Sequence, residues 1–307
     1  MGKIAFVFPG QGAQYVGMGR DFYAAFAESR QMYEIASSAA EMDIKELCFE
    51  ENERLNITEY TQIAMLATEM AILQAVKLQG IQPDVCAGLS LGEYAAIGAT
   101  GVMAPVDCFR VIRKRGIFMQ EAYPVGGAMS AVLGSDAATI EKICEETEGI
   151  VSIANYNCPG QIVITGEKDA VERAGEALKA AGAKRVIPLK VSGPFHSALL
   201  GDAGEKLRKE LEAVNLSDPS VPYITNVDCS YVCDTERIVD LCAMQVSHSV
   251  RWQQTIEKMI ADGVDTFIEI GPGKTLSGFI KKISKDVTVL NVEKVEDLEG
   301  LKCLQDK

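Results

Sequence analysis

The chain is poor in imidazole. Its 307 residues hold only two histidines, His196 and His248, too few for a histidine-rich metal centre. Nine cysteines are scattered without a C-x-x-C pair. The closest two, Cys229 and Cys233, make no credible zinc set with two histidines, so no metal and no cofactor is expected. An odd number of dispersed thiols also excludes a disulfide framework and reads as reduced, buried cysteine in a cytoplasmic protein. Positive charge is scarce too: 30 Lys and Arg face 43 Asp and Glu, for a net charge of −13. A polyanion would be repelled, so no nucleic-acid partner is expected.

Long apolar runs are missing as well. Met1 to Phe8 carries one lysine and stops at Pro9-Gly10, too short for a signal peptide, and nothing reaches the length of a membrane span, so no membrane partner is expected. Phe6 stands where an N-myristoylation signal requires Ser or Thr. With 48% apolar and 24% charged residues and no low-complexity tract, the composition is that of a globular protein.

Two phosphate-binding motifs fail on inspection. Gly273-Lys274-Thr275 has the tail of a P-loop, but the glycine needed five places earlier is Ile268. Gly10-Gln11-Gly12 follows a strand as a dinucleotide fingerprint does, yet Tyr15 fills the position of the third glycine.

What is present is a nucleophile elbow. Gly88-Leu89-Ser90-Leu91-Gly92 spells G-x-S-x-G between the strand-like Val85-Cys86-Ala87 and the helix-like Glu93-Tyr94-Ala95-Ala96-Ile97. The bare pentapeptide is common by chance; a strand before it and a helix after it are what the motif requires. The turn is so sharp that the residues two positions to either side of the serine must lack side chains, and the serine hydroxyl is pushed out at the sheet edge. Leu91 then offers a backbone N–H at the positive end of the new helix to an oxyanion on an attacked carbonyl.

The rest of the chain reads as one large α/β unit with an insertion. Lys3 to Phe8 is a buried strand, the stretch to Phe49 mostly helical, and Thr61 to Gln79 and Arg110 to Glu121 are helices. Between Gly127 and Lys190 the order becomes β-α-β-β-α-β, with strands at Ala128 to Leu133, Ile150 to Asn155, Gln161 to Thr165 and Arg185 to Leu189, and helices at Ala137 to Thr147 and Ala170 to Ala181. That is the ferredoxin-like pattern. The larger style returns with strands at Tyr223 to Asn226 and Asp265 to Ile270 and a helix at Trp252 to Ala261. The expected fold class is therefore α/β: an α/β-hydrolase-like catalytic domain with a parallel sheet, from residues 1–125 and 191–307, and a ferredoxin-like subdomain at 126–190 roofing the site.

His196, in Gly193-Pro194-Phe195-His196-Ser197, follows the serine in the order of hydrolase folds. A lone histidine is more often structural, but a serine hydroxyl needs a base at neutral pH, and only His196 and His248 are available.

Five segments in order, Phe8 to Gln14, Gly88 to Tyr94, Arg115 to Gln120, Asn155-Tyr156-Asn157 and Phe195-His196-Ser197, together with Gly271-Pro272-Gly273-Lys274, closely resemble malonyl-CoA:acyl carrier protein transacylases. The resemblance spans nearly the whole chain, insertion included. It implies that Ser90 is acylated, that His196 is its general base, and that malonyl passes from malonyl-CoA through the serine to the phosphopantetheine thiol of acyl carrier protein, for fatty-acid synthesis. It further implies an oxyanion hole from the amides of Gln11 and Leu91, Asn155 lining the site, Gln245 orienting His196 through its main-chain carbonyl, and Arg115 holding the malonyl carboxylate. A guanidinium suits that last task because two parallel N–H bonds can grip one carboxylate. Arg110, Arg113 and Lys114 read as a solvated helix face.

Two departures from the family pattern stand out. Leu89 occupies a position that is often histidine, and His248-Ser249-Val250-Arg251-Trp252 lacks the proline often found before the tryptophan, leaving the loop expected to carry Gln245 less stiff. His248 is expected to be a structural or rim residue and not a second base. The alternative readings are a serine esterase or thioesterase, which Arg115 disfavours, and an acyltransferase serving a polyketide carrier protein. An acidic carrier protein would need a basic patch against the chain's average field; Lys184 with Arg185, or Lys281, Lys282 and Lys285, are the candidates.

Overall fold

The computed structural model describes residues 2–191 and 193–305. It is a mixed α/β structure with two sheets. The strands are β1 (Lys3–Phe8), β2 (Val85–Gly88), β3 (Gly127–Leu133), β4 (Val151–Cys158), β5 (Gln161–Glu167), β6 (Arg185–Pro188), β7 (Tyr223–Ile224), β8 (Tyr231–Val232), β9 (Val264–Ile270) and β10 (Thr288–Val292). The helices of the first part are α1 (Arg20–Ala25), α2 (Ala27–Ala40), α3 (Ile44–Phe49), α4 (Thr58–Leu78), α5 (Gly92–Ala99) and α6 (Pro105–Ala122). Then come α7 (Ala137–Glu146), α8 (Lys168–Ala180), α9 (Gly201–Glu212), α10 (Ile238–Gln245), α11 (Trp252–Ala261), α12 (Thr275–Ile283) and α13 (Lys302–Gln305).

The large sheet has the order β10-β9-β1-β2-β7-β8, parallel from β10 to β7, with β8 antiparallel at the edge. Its central strand explains the apolar opening of the chain. Ala5, Phe6, Val7 and Phe8 are all fully buried, as a parallel strand covered on both faces demands. Alternate residues serve the two faces: Phe6 and Phe8 pack into a core shared with Ile63, Leu66 and Met70 of α4, whereas Ala5 and Val7 join Trp252, Ile256 and Phe267 on the other side.

Helix α4 shows no exposed face over most of its length. Every residue from Thr61 to Leu73 is buried, because α2 and α6 pack against it while it lies on the sheet. A helix enclosed on all sides has no polar face to show a period.

The second sheet, β4-β5-β3-β6, is antiparallel throughout. Helices α7 and α8 cover it, and Val132, Ile140, Ile153, Ile164 and Leu178 form a core of its own. The main chain of β4 also reaches the large sheet's side of the molecule, where Tyr156 N–H donates to Val250 O at 2.9 Å and Val250 N–H donates to Ala154 O at 2.7 Å. Two expectations change here. Strand β7 ends at Ile224, not Asn226, since the Asn226 N–H leaves the ladder for the Glu93 carboxylate at 3.0 Å. The cysteines, all free, are not uniformly buried: Cys233 and Cys303 are exposed. Among the described residues, no helix is long and apolar enough to cross a membrane.

Candidate active site

The elbow forms where β2 turns into α5, at the carboxyl edge of the parallel sheet where open α/β sheets place their ligand crevices. A Cβ on Gly88 would fall 1.9 Å from the Gly92 carbonyl carbon, and one on Gly92 would fall 2.2 Å from Phe8 O. Both positions must therefore be glycine, for β1, β2 and α5 to meet this closely. Ser90 itself sits at φ +56°, a conformation that costs a non-glycine residue about 1–3 kcal/mol and persists only when its surroundings enforce it. Leu91 is the N-cap of α5.

Ser90 Oγ lies 2.8 Å from His196 Nε2. The other ring nitrogen, Nδ1, faces two main-chain carbonyl oxygens, Gln245 O at 2.8 Å and His248 O at 3.2 Å. Carbonyls only accept, so Nδ1 carries the proton and Nε2 is left as acceptor for the serine hydroxyl. Burial is the larger cause, and the nearby Arg115 charge the smaller, that pull His196 down to about 4, against support from the two carbonyls. At neutral pH the imidazole is thus uncharged and able to take a proton. Like Ser90, His196 has positive φ, +60°.

Arg115 is buried beneath the serine, from α6. Its Nη2 donates to Ser90 Oγ at 3.1 Å and to Gln245 Oε1 at 3.0 Å, and its Nη1 donates to Gln62 Oε1 at 2.7 Å. The guanidinium stands over the Tyr94 ring, 5.4 Å from its centroid. Among the described residues, no carboxylate pairs with it directly. Balance comes through Gln245, whose Nε2 donates to Glu93 Oε2 at 2.6 Å while its Oε1 accepts from the arginine. Burial raises the Glu93 carboxyl to about 7, against hydrogen bonds from Asn226 and Gln245 and the Arg115 charge, which favour ionisation. Of the neighbouring cations, Arg113 pairs with Glu59 at 2.8 Å, while Arg110 and Lys114 are exposed.

A cavity of about 230 Å³ opens over these groups. Gly10, Gln11 and Gly12 after β1 and Leu89, Ser90 and Leu91 of the elbow form one part of its wall. The small sheet contributes Met129, Asn155, Asn157 and Val163; Gln62, Met119, Leu189, Val191, Phe195 and His196 line other parts, and α12 adds Thr275, Leu276 and Phe279. Helix α12 is pinned by Glu269, which accepts from the N–H groups of Leu276 and Ser277 at 3.0 and 2.7 Å, a carboxylate at the positive end of a helix. Arg115 and Gln245 lie below this lining, reached through Ser90 and Gln62.

The residues singled out from sequence thus converge: Ser90, His196, Gln11, Leu91 and Asn155 on the cavity, Arg115 and Gln245 beneath it. Gln245 is not in a loop. It is the last residue of α10 and is fully buried, so helix and side-chain bonds supply the stiffness expected of a proline. His248 is exposed, and its main-chain carbonyl lies 3.2 Å from His196 Nδ1. Leu89 lies against the cavity as part of its apolar wall.

Gln62, Glu93 and Asn226 were not legible as site residues. The available signals were a lone amide in the apolar run of α4 and a carboxylate directly after the elbow.

An acyl transferase domain family matches residues 5–299. The malonyl CoA-acyl carrier protein transacylase of Bacillus subtilis is 44% identical over 304 residues, 97% of this chain and 96% of that protein. The chain belongs to the malonyl CoA-acyl carrier protein transacylase family. Among solved structures, the Clostridium perfringens member of that family superposes with a TM-score of 0.95 at 47% identity, covering 99% of this chain and 98% of that one. A malonyl-transacylase solved in complex with a type II PKS acyl-carrier protein gives 0.95 at 40% identity, covering 99% and 100%.

Proposed function

We propose that the protein moves a malonyl group from malonyl-CoA to the phosphopantetheine thiol of an acyl carrier protein by way of a malonyl ester on Ser90, supplying fatty-acid synthesis in the cytoplasm. The observation that carries this reading is the convergence of two groups on one oxygen: His196 Nε2 at 2.8 Å and Arg115 Nη2 at 3.1 Å from Ser90 Oγ. The first is a base. The second is a buried cation where a carboxylate-bearing acyl group would rest, for which an esterase of neutral substrates has no use.

In the first half-reaction Ser90 Oγ attacks the thioester carbonyl and its proton passes to His196 Nε2. The Gln11 and Leu91 amides receive the oxyanion, and collapse releases CoA as a thiol that takes the proton from Nε2. In the second half, Nε2 removes the proton of the phosphopantetheine thiol, the sulfur attacks the serine ester, and the proton returns to Ser90 as the ester breaks. Gln245, through its carbonyl, keeps the imidazole in the tautomer both steps need. Asn155 borders the acyl group. Arg115 takes the malonyl carboxylate in a two-pronged contact, using donors that include its Nε, which has no partner among the described residues.

The small sheet supports a finer description of the fold. Numbered within the insertion its strands run 4-1-3-2, all antiparallel with two helices on one face, as a ferredoxin-like subdomain at 126–190 requires. Residues 1–125 and 191–307 then make the α/β-hydrolase-like domain. The test is to supply malonyl-CoA with holo carrier protein from fatty-acid synthesis, with a polyketide carrier protein, or with buffer alone. Malonyl transfer to the first at a rate far above hydrolysis supports the proposal; hydrolysis equal to transfer would make the protein a thioesterase, and transfer to the polyketide carrier alone would move it to that pathway.

A further inference from the structure

The main chain of Ser90 is hydrogen-bonded to a residue distant in sequence. Its N–H points away from the cavity and donates to Asn226 Oδ1 at 2.7 Å, and Asn226 Nδ2 donates to Gly88 O at 2.6 Å. One amide therefore spans the turn, taking the donor of the nucleophile and the acceptor two residues before it. The assignment of its ends is unambiguous, because Ser90 N can only donate and Gly88 O can only accept. Asn226 is fully buried, and its own place is fixed by its N–H to Glu93 Oε2 at 3.0 Å. Gln245 Nε2, which donates to Ser90 O at 2.9 Å and to the same Glu93 oxygen, closes the ring on the other side of the serine.

We propose that Asn226 is a positioning residue for the nucleophile: it bridges Ser90 N and Gly88 O across the elbow and so holds Ser90 in the left-handed conformation that directs Oγ to His196 and the Leu91 amide to the cavity. The inference rests on Ser90 being the acylated residue. Without the bridge, the serine N–H becomes a buried donor with no acceptor and the turn is free to relax toward φ below zero, carrying Oγ off the His196 line. A reacting atom displaced by about 1 Å loses on the order of a hundredfold in rate. Nothing in this role touches malonyl-CoA, so affinity is preserved. Glu93 acts one step further out, by accepting from the Asn226 main chain.

The experiment follows single-turnover acylation of Ser90 by malonyl-CoA, with malonyl-CoA affinity measured separately in a Ser90→Ala background. Folded Asn226→Ala is expected to acylate about a hundredfold more slowly at unchanged affinity, with Asn226→Asp, which keeps the acceptor for Ser90 N–H, faster than the alanine variant. Acylation at the wild-type rate, or a loss that appears wholly as weaker binding, overturns the proposal. Hydrogen exchange at the Ser90 amide of the wild-type protein decides independently of how the variants fold: slow exchange supports the bridge, and exchange as fast as in an exposed loop overturns it. Should wild-type protein acquire malonyl elsewhere than Ser90, the functional reading fails while the amide measurement still tests the bridge.

Discussion

Arg115 Nη2 and Ser90 Oγ are 3.1 Å apart. In the proposed function the guanidinium holds one end of a short dicarboxylic acyl group while the other is attacked at Ser90. Arg115→Ala is expected to cost malonyl transfer on the order of 2–5 kcal/mol, the penalty of leaving a desolvated carboxylate unpaired. Acetyl transfer, which brings no carboxylate, should fall much less. Steady-state rates with malonyl-CoA and acetyl-CoA check this, and equal losses for both would make Arg115 purely structural.

The acid limb of the reaction should lie low. His196 is held down to about 4, so its base form persists well below the ordinary histidine range and is lost only as pH falls through that value. For kcat/KM with malonyl-CoA we expect no decline until about pH 5, since the profile reports the free enzyme. A limb centred near 6.5 would mean that His196 is ordinary in its titration or is not the base. His196→Ala should slow both half-reactions, whereas His248→Ala, at an exposed position, should leave them near the wild-type rate.

The glycines of the elbow are a packing requirement before they are a catalytic one. Gly88→Ala would drive a methyl group to within 1.9 Å of the Gly92 carbonyl carbon, a backbone clash that no side-chain rotation relieves. A loss of at least about 3 kcal/mol of stability is expected, read as a lower midpoint in urea. Unchanged stability would mean that the three elements do not meet as described.

An acidic carrier protein would need positive charge near the mouth of the cavity to dock on a chain of net charge −13. Lys184 and Arg185 are exposed at the start of β6, whose continuation supplies Leu189 to the cavity wall. Lys281 and Lys282 follow Phe279 of the opposite wall on α12, with Lys282 reaching Gln161 Oε1 at 3.2 Å. Charge reversal at Lys184 and Arg185 is expected to raise KM for carrier protein and flatten its salt dependence, with acylation by malonyl-CoA unchanged. An unaltered KM at low salt would leave the α12 lysines as the docking patch.

The parts of this site that were legible in the sequence are those with local grammar. The elbow is contiguous, and the alternation of the insertion placed every strand and helix to within a few residues. The helix from Trp252 to Ala261 emerged with its expected ends. What escaped were side chains whose meaning depends on distant partners. Gln62 lies 53 positions from the Arg115 it contacts, and Asn226 lies 136 from Ser90. No local pattern tells a buried amide that satisfies a site from one that satisfies a loop. The early end of β7 has the same origin, because the residue that would continue the ladder is committed to Glu93.

Whether Ser90 carries the malonyl group is read by intact-protein mass spectrometry after brief exposure to malonyl-CoA. One added malonyl mass is expected, mapped to the Ser90 peptide, absent from Ser90→Ala and discharged by holo carrier protein. A Ser90→Ala protein that still gained a single malonyl group would contradict it.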